Sequence, residues 1–72
     1  MNKAQSKKMI EALLKRHSIE KIAECFLTPY ELGYVACLID LEHKLLAKNY
    51  LIKAVENCSD EYISSCYQYL QN

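Results

Sequence analysis

The 72-residue chain has little of the chemistry that tight turns need, since it contains one glycine, one proline and no tryptophan. Hairpin turns draw mainly on Gly, Pro, Asn and Asp, so a fold rich in β-hairpins is disfavoured. Apolar residues make up 51% of the chain and charged residues 25%, which is typical of a folded domain and not of a disordered segment. The sequence therefore predicts a single all-α domain over residues 1–72, built from three to four helices.

Long apolar runs are also missing. None approaches the roughly 18 residues that a membrane-spanning helix needs, and residues 1–5 are polar. We therefore expect a cytoplasmic protein without a signal peptide and without a membrane partner.

The four cysteines, at positions 25, 37, 58 and 66, form no CxxC pair. This spacing disfavours both a zinc site and a thioredoxin-like redox pair. In a reducing compartment we expect the cysteines to be small buried hydrophobic residues, and we expect no metal and no other cofactor.

The net charge is zero but unevenly distributed, with +4 in residues 1–16 and −4 in the remainder. A basic end can contact nucleic acid or an acidic partner, although a solvated helix face is the more common explanation. The candidates for weak nucleic-acid contact are Lys7, Lys8, Lys15 and Arg16.

Helical periodicity and capping residues divide the first third of the chain. Apolar residues at helical spacing predict an amphipathic helix over residues 3–16. Ser18 is a predicted N-cap for a second helix over residues 19–26, so His17 and Ser18 form a joint or a kink.

The strongest local signal begins at Thr28. Thr28 is a predicted N-cap, Pro29 fills the first helical position and Glu31 completes a capping box. No further breaker occurs before Asn57, which predicts one central helix of about 28 residues and roughly 42 Å. A bend or break within residues 42–49 stays open, although no Gly or Pro forces one. Ser59 is then the predicted cap of a last helix over residues 60–70.

No catalytic constellation is visible. The two histidines, His17 and His43, lack partners at a spacing typical of a dyad or a metal site. The sole glycine, Gly33, lies near the start of the central helix and not in a phosphate-binding loop, so we expect it to allow close approach of another helix backbone. The sequence therefore predicts a non-enzymatic protein.

The predicted central helix carries more apolar surface than its short neighbours can cover. Such a surface favours docking of a partner protein or formation of a homodimer. Asp40 lies within the most apolar part, where it either faces solvent or needs a basic partner. The predicted partner-binding residues are Tyr34, Leu38, Asp40, Leu41, Glu42 and Leu45.

Two segments resemble the Hha/YmoA family of small enterobacterial gene-expression modulators. "LKRHSIEKIAE" at 14–24 is similar to that family's N-terminal pattern, and "ELGYVACLIDLEHKLLAKNYLIKAV" at 31–55 resembles its long central helix. The shared positions include Glu31, Leu32, Asp40, Leu46, Asn49 and Leu51. The stretch over residues 32–55 also resembles the AriR/YcgZ group of small connector and biofilm regulators.

Both resemblances imply a small helical protein that modulates bacterial transcription by docking on regulatory proteins. In the Hha-like case the implied partner is H-NS, a nucleoid protein whose basic residues meet acidic residues of the modulator. Asp40 stands at the position of the family's central Asp, and the four basic residues named above would add DNA contact. A small helical secretion chaperone, or a phage- or plasmid-encoded inhibitor of a host protein, remains an alternative.

Overall fold

A computed structural model of the chain describes residues 1–71, which form five α-helices and no strand. The helices are α1 (Lys3–Leu14), α2 (Ile19–Phe26), α3 (Pro29–Asp40), α4 (Lys44–Glu56) and α5 (Asp60–Gln71). The all-α prediction is confirmed, whereas the predicted number of three to four helices is too low. No helix within residues 1–71 combines the length and the apolar character that crossing a membrane requires.

Side-chain caps begin the helices where the sequence predicted them. Ser18 and Ser59 each accept a hydrogen bond, 3.2 Å long, from the backbone N–H three residues further on. Thr28 and Glu31 form the predicted capping box, with reciprocal bonds of 3.3 and 3.1 Å. An additional capping box at Asn2 begins α1 and was not predicted.

The single long central helix is wrong, because residues 41–43 separate α3 from α4. The N–H of His43 donates to the carbonyl of Leu38 at 2.8 Å, and the N–H of Glu42 donates to the carbonyl of Ile39 at 3.0 Å. These two bonds are a Schellman motif, which requires a left-handed residue at Glu42, with φ of 63°. Glycine usually occupies that position. Because glutamate occupies it here, the sequence contains no residue that signals the end of α3.

The break lets α3 fold back along α4 as an antiparallel helical hairpin. The Tyr34 and Tyr50 rings lie 5.1 Å apart, and the Tyr50 hydroxyl donates to Glu31 at 3.1 Å. An unbroken helix of roughly 42 Å would exceed the longest dimension of the molecule, 32 Å. Folding back instead buries Val35 and Leu38, so tertiary packing offsets the cost of the strained turn.

The hydrophobic core lies between α4 and the helices around it. α1 packs mainly on α4, while α2 contacts α3, α4 and α5. The most completely buried apolar residues are Ile10, Ile22, Ala23, Ala47, Leu51 and Val55. Lys48 is the charged residue that interrupts the apolar face of α4. Its ammonium binds Glu11 of α1 at 2.8 Å.

The last helix is attached to the end of α2. The Tyr62 hydroxyl and the Cys66 thiol both donate to the carbonyl of Cys25, at 2.6 and 3.2 Å. Cys66 is buried and Cys25 is half-buried, as expected of small hydrophobic residues. Cys37 is exposed, however, so the prediction of buried cysteines is wrong at that position.

Candidate docking surface

The predicted row of partner-binding residues does not share one face. Leu38 is 9% exposed and belongs to the core, so its assignment as a partner contact is wrong. Tyr34, Leu41 and Leu45 are exposed, but the turn at residues 41–43 places Leu45 on a different helix. These apolar candidates therefore do not form one continuous contact surface.

The two acidic candidates lie at the tip of the hairpin. Asp40 ends α3 and Glu42 lies in the turn, and both are exposed. Neither takes part in an ion pair within residues 1–71. Asp40 thus faces solvent, which is one of the two arrangements that the sequence left open.

A continuous apolar stripe follows one face of α3. Tyr30, Tyr34, Cys37 and Leu41 are spaced by four, three and four residues, which places them on one side of a helix. Tyr30 is 89% exposed, Tyr34 49% and Leu41 60%. We call these four residues the α3 stripe. The spacing of Tyr30 and Cys37 is hidden in the sequence by the stronger apolar rows that one long helix would carry.

Side chains of α4 extend the α3 stripe sideways. Tyr50 contacts Tyr34, and Leu46, which lies one turn before Tyr50, is 54% exposed. Lys53 follows Tyr50 on the same side and lines a hollow with Glu31. Apolar surface from two antiparallel helices therefore meets here, with a lysine at the end nearest the start of α3.

Hydrogen bonds hold the two helices of the hairpin in register. The backbone N–H and the hydroxyl of Thr28, together with the hydroxyl of Tyr50, lower the pKa of Glu31. Burial, and the bond to Glu31, raise the pKa of Tyr50. Both shifts favour a charged carboxylate bound to a protonated phenol, the pairing that fixes α3 against α4.

Gly33 stands beside the α3 stripe in open space. A Cβ built on this residue would meet no atom within 4 Å. The predicted close approach of another helix to Gly33 is thus absent within residues 1–71. A helical glycine costs about 1 kcal/mol relative to alanine, and no packing inside this part of the chain offsets that cost.

A second exposed leucine belongs to a separate cleft. Leu45 is 68% exposed and lines an open cleft of about 550 Å³ with Leu14 and Ile19. The same cleft contains His17, whose Nε2 is buried with no hydrogen-bond partner in residues 1–71. Lys44 and Lys48 line the cleft too.

The predicted nucleic-acid residues are exposed but do not form an uninterrupted basic surface. Lys7 and Lys15 lie one turn before and one turn after Glu11 on α1. The hydrogen bond from Lys48, with smaller contributions from Lys7 and Lys15, lowers the pKa of Glu11. Arg16 donates to Gln71 at 3.2 Å. Weak nucleic-acid contact by Lys7, Lys8, Lys15 and Arg16 stays a prediction.

Chemically reactive groups are not gathered at either surface. In the part of the chain that the structure describes, no three His, Cys, Asp or Glu side chains are placed to hold a metal ion. Burial raises the pKa of the Cys25, Cys58 and Cys66 thiols, which favours the less nucleophilic neutral form. The arrangement offers apolar contact flanked by a few charges.

Comparison with protein-family models, with curated proteins and with solved structures finds no match to this chain. The Hha/YmoA and AriR/YcgZ resemblances therefore rest on the quoted sequence segments alone.

Proposed function

We propose that the chain is a small non-enzymatic protein-interaction module that binds a regulatory protein through the α3 stripe and Leu46. One observation carries this proposal. Of the nine large hydrophobic side chains exposed in residues 1–71, four belong to this surface, namely Tyr30, Tyr34, Leu41 and Leu46. Exposed apolar residues scattered singly need no explanation, but a concentration of this kind is typical of an interaction site.

The composition of the α3 stripe supports protein binding. Two of its members, Tyr30 and Tyr34, are tyrosines, which supply large contact area at little cost in conformational entropy. Tyr34 is already held by its contact with Tyr50. With roughly 200 Å² for a whole side chain, Tyr30, Tyr34, Leu41 and Leu46 together expose on the order of 500 Å².

The more specific proposal concerns the partner. The Hha-like resemblance suggests the dimerisation domain of an H-NS-type nucleoid protein, and hence modulation of bacterial transcription. Asp40 and Glu42 are exposed at the end of the α3 stripe, where they can meet basic residues of such a partner. This step depends on the resemblance, whereas binding of some protein by the α3 stripe depends on its exposed apolar area.

The test is a calorimetric titration of the purified chain with the isolated dimerisation domain of an H-NS-type protein. We expect wild-type protein to bind, Leu41→Asp to weaken binding by about tenfold or more, and Asp40→Asn to weaken it several-fold. Leu45→Asp is the matched control, because Leu45 is also exposed but lies in the separate cleft.

Two outcomes contradict the proposal in different ways. If wild-type protein does not bind the domain, the H-NS-type partner is wrong. If Leu45→Asp abolishes binding while Leu41→Asp preserves it, the α3 stripe is the wrong surface. Circular dichroism of each variant establishes that the helices are intact.

A further inference from the structure

We propose that a second copy of this chain covers the α3 stripe, in an antiparallel pairing related by a two-fold axis. The inference rests on the proposed function, because it takes the same α3 stripe as a docking surface, which a second copy occupies when the regulatory protein is not bound. Four features of the structure support it: the spacing of the stripe, the open glycine beside it, the positions of the flanking charges and the area available.

The spacing of the α3 stripe is the same in both directions. Positions 30, 34, 37 and 41 are separated by four, three and four residues, so the stripe superimposes on itself when one helix is reversed. Tyr30 then lies opposite Leu41 of the other copy, and Tyr34 lies opposite Cys37. Each pair occurs twice, as a two-fold interface requires. The mean spacing, about 3.7 residues, is close to the 3.6 residues per turn of a straight α-helix, so the stripe keeps to one face of α3.

Size complementarity favours the same arrangement. Tyr34 is large, whereas Cys37 is small and has Gly33 one turn before it on the same side of α3. The space around Gly33 is empty within the chain. A tyrosine from a second copy fits over this Gly33–Cys37 depression, and close approach of the second helix accounts for a glycine that weakens α3.

The charges at the two ends of the hairpin distinguish antiparallel from parallel pairing. Lys53 lies beside Glu31 at the start of α3, whereas Glu42 lies at the opposite end. Neither Lys53 nor Glu42 has an ion-pair partner within residues 1–71. Antiparallel pairing brings Lys53 of each copy toward Glu42 of the other. Parallel pairing places Asp40 and Glu42 near their own counterparts, which is repulsive.

The available area sets the expected strength. On the order of 500 Å² from the α3 stripe and Leu46 of each copy gives about 1,000 Å² in total, which lies below the roughly 1,200 Å² where stable interfaces begin and is typical of weak, transient ones. The zero net charge of the chain adds no overall repulsion. We therefore expect a weak, reversible dimer with Kd of roughly 10–100 µM.

Sedimentation equilibrium of the pure protein from about 5 to about 500 µM covers this range. We expect the mass to rise from the 8.4 kDa of the monomer toward twice that value. Leu41→Asp should raise Kd at least about tenfold, while the matched control Leu45→Asp leaves Kd unchanged. A protein that stays monomeric over the whole range, or a dimer that Leu41→Asp does not weaken, overturns the proposal.

Two further variants test the geometry without disturbing the core. Glu42→Lys and Lys53→Glu should each weaken the dimer, and the double variant should restore it, because the charges are exchanged across the axis. Gly33→Leu should block pairing while the monomer stays folded, since the position is open. Lack of rescue by the double variant contradicts antiparallel pairing.

Failure of the dimer and failure of the proposed function are distinguishable. A monomer that still binds the H-NS-type domain through Leu41 refutes the dimer and leaves the proposed function standing. A dimer that binds no such domain refutes the proposed partner and supports self-association. The protein could both form a dimer and bind the H-NS-type domain, with Leu41→Asp weakening each interaction. In that case the second copy and the domain compete for one surface, and added domain should dissociate the dimer.

Discussion

The two joints that bound α3 are built in opposite ways. At the α2–α3 joint, Thr28, Pro29 and Glu31 supply a capping box and a helix-compatible φ, all from residue types with strong local preferences. At the α3–α4 joint, the polypeptide turns through Glu42 in a left-handed conformation that glutamate disfavours.

This difference separates a locally encoded joint from one that tertiary packing imposes. Thr28 can begin a helix independently of the tertiary structure, because its hydroxyl accepts a hydrogen bond from the backbone N–H three residues away. Glu42 becomes left-handed only because α3 and α4 gain by packing on each other, as the contact of Tyr34 with Tyr50 shows. Local signals predict the first joint, and the second follows from the core.

The largest expected effect tests the different burial of two leucines where α3 meets the α3–α4 joint. Leu38 is 9% exposed and Leu41 is 60% exposed. We expect Leu38→Ala to lower the free energy of unfolding by about 2–4 kcal/mol, and Leu41→Ala to change it by less than about 0.5 kcal/mol. Urea unfolding followed by circular dichroism measures both, at a concentration low enough to keep the protein monomeric. Equal losses contradict the burial of Leu38 next to an exposed Leu41.

A substitution with a predictable sign tests the strain at Glu42 directly. Glu42→Gly should raise the free energy of unfolding by about 0.5–1 kcal/mol, because glycine adopts φ of +63° without the penalty of a side chain. Ala36→Gly is the matched control on the exposed side of α3, and it should lower stability by about 1 kcal/mol. If residue 42 were helical, both substitutions would lower the free energy of unfolding. Changes of opposite sign therefore show that residue 42 is left-handed.

The smallest expected effect concerns the α2–α3 joint and its dependence on pH. Hydrogen bonds from Thr28 and Tyr50 hold the pKa of Glu31 below its ordinary value of 4.5. The charged carboxylate therefore stabilises the fold above pH 4.5, and this contribution is lost as the pH falls through the lowered pKa. In thermal unfolding between about pH 3 and pH 7, wild-type protein should have a higher Tm than Glu31→Gln near neutral pH. This difference in Tm should shrink in acid. Constant separation of wild type and Glu31→Gln across this range contradicts the assignment.

Much of the fold could be predicted because it is encoded locally. Ser18, Thr28 and Ser59 each begin a helix where sequence preferences placed them. The end of α3 could not be predicted in this way, because residue types give a reliable C-terminal signal only when glycine occupies the left-handed position. The gain from burying Leu38 exceeds the cost of strain at Glu42, but that gain exists only in the assembled core, which residue types along the chain do not reveal.

The candidate surface was predicted less well than the helices. Tyr34 and Leu41 are exposed, whereas Leu38, which was grouped with them because a row along a straight helix was assumed, is buried. Whether an apolar residue is covered depends on which neighbouring helix folds over it, and periodicity within one helix does not contain that information. The exposure of Tyr30, in the first turn of α3, likewise depends on which face of α3 packs against the core.

The hydrogen bonds from Tyr62 and Cys66 to the carbonyl of Cys25 have a consequence for folding during synthesis. α2 has only eight residues, fewer than an isolated helix needs to persist in water. Its last turn is completed by side chains that lie 37 and 41 positions downstream. α2 therefore leaves the ribosome well before the groups that complete it, and its final structure forms only after α5 has been synthesised.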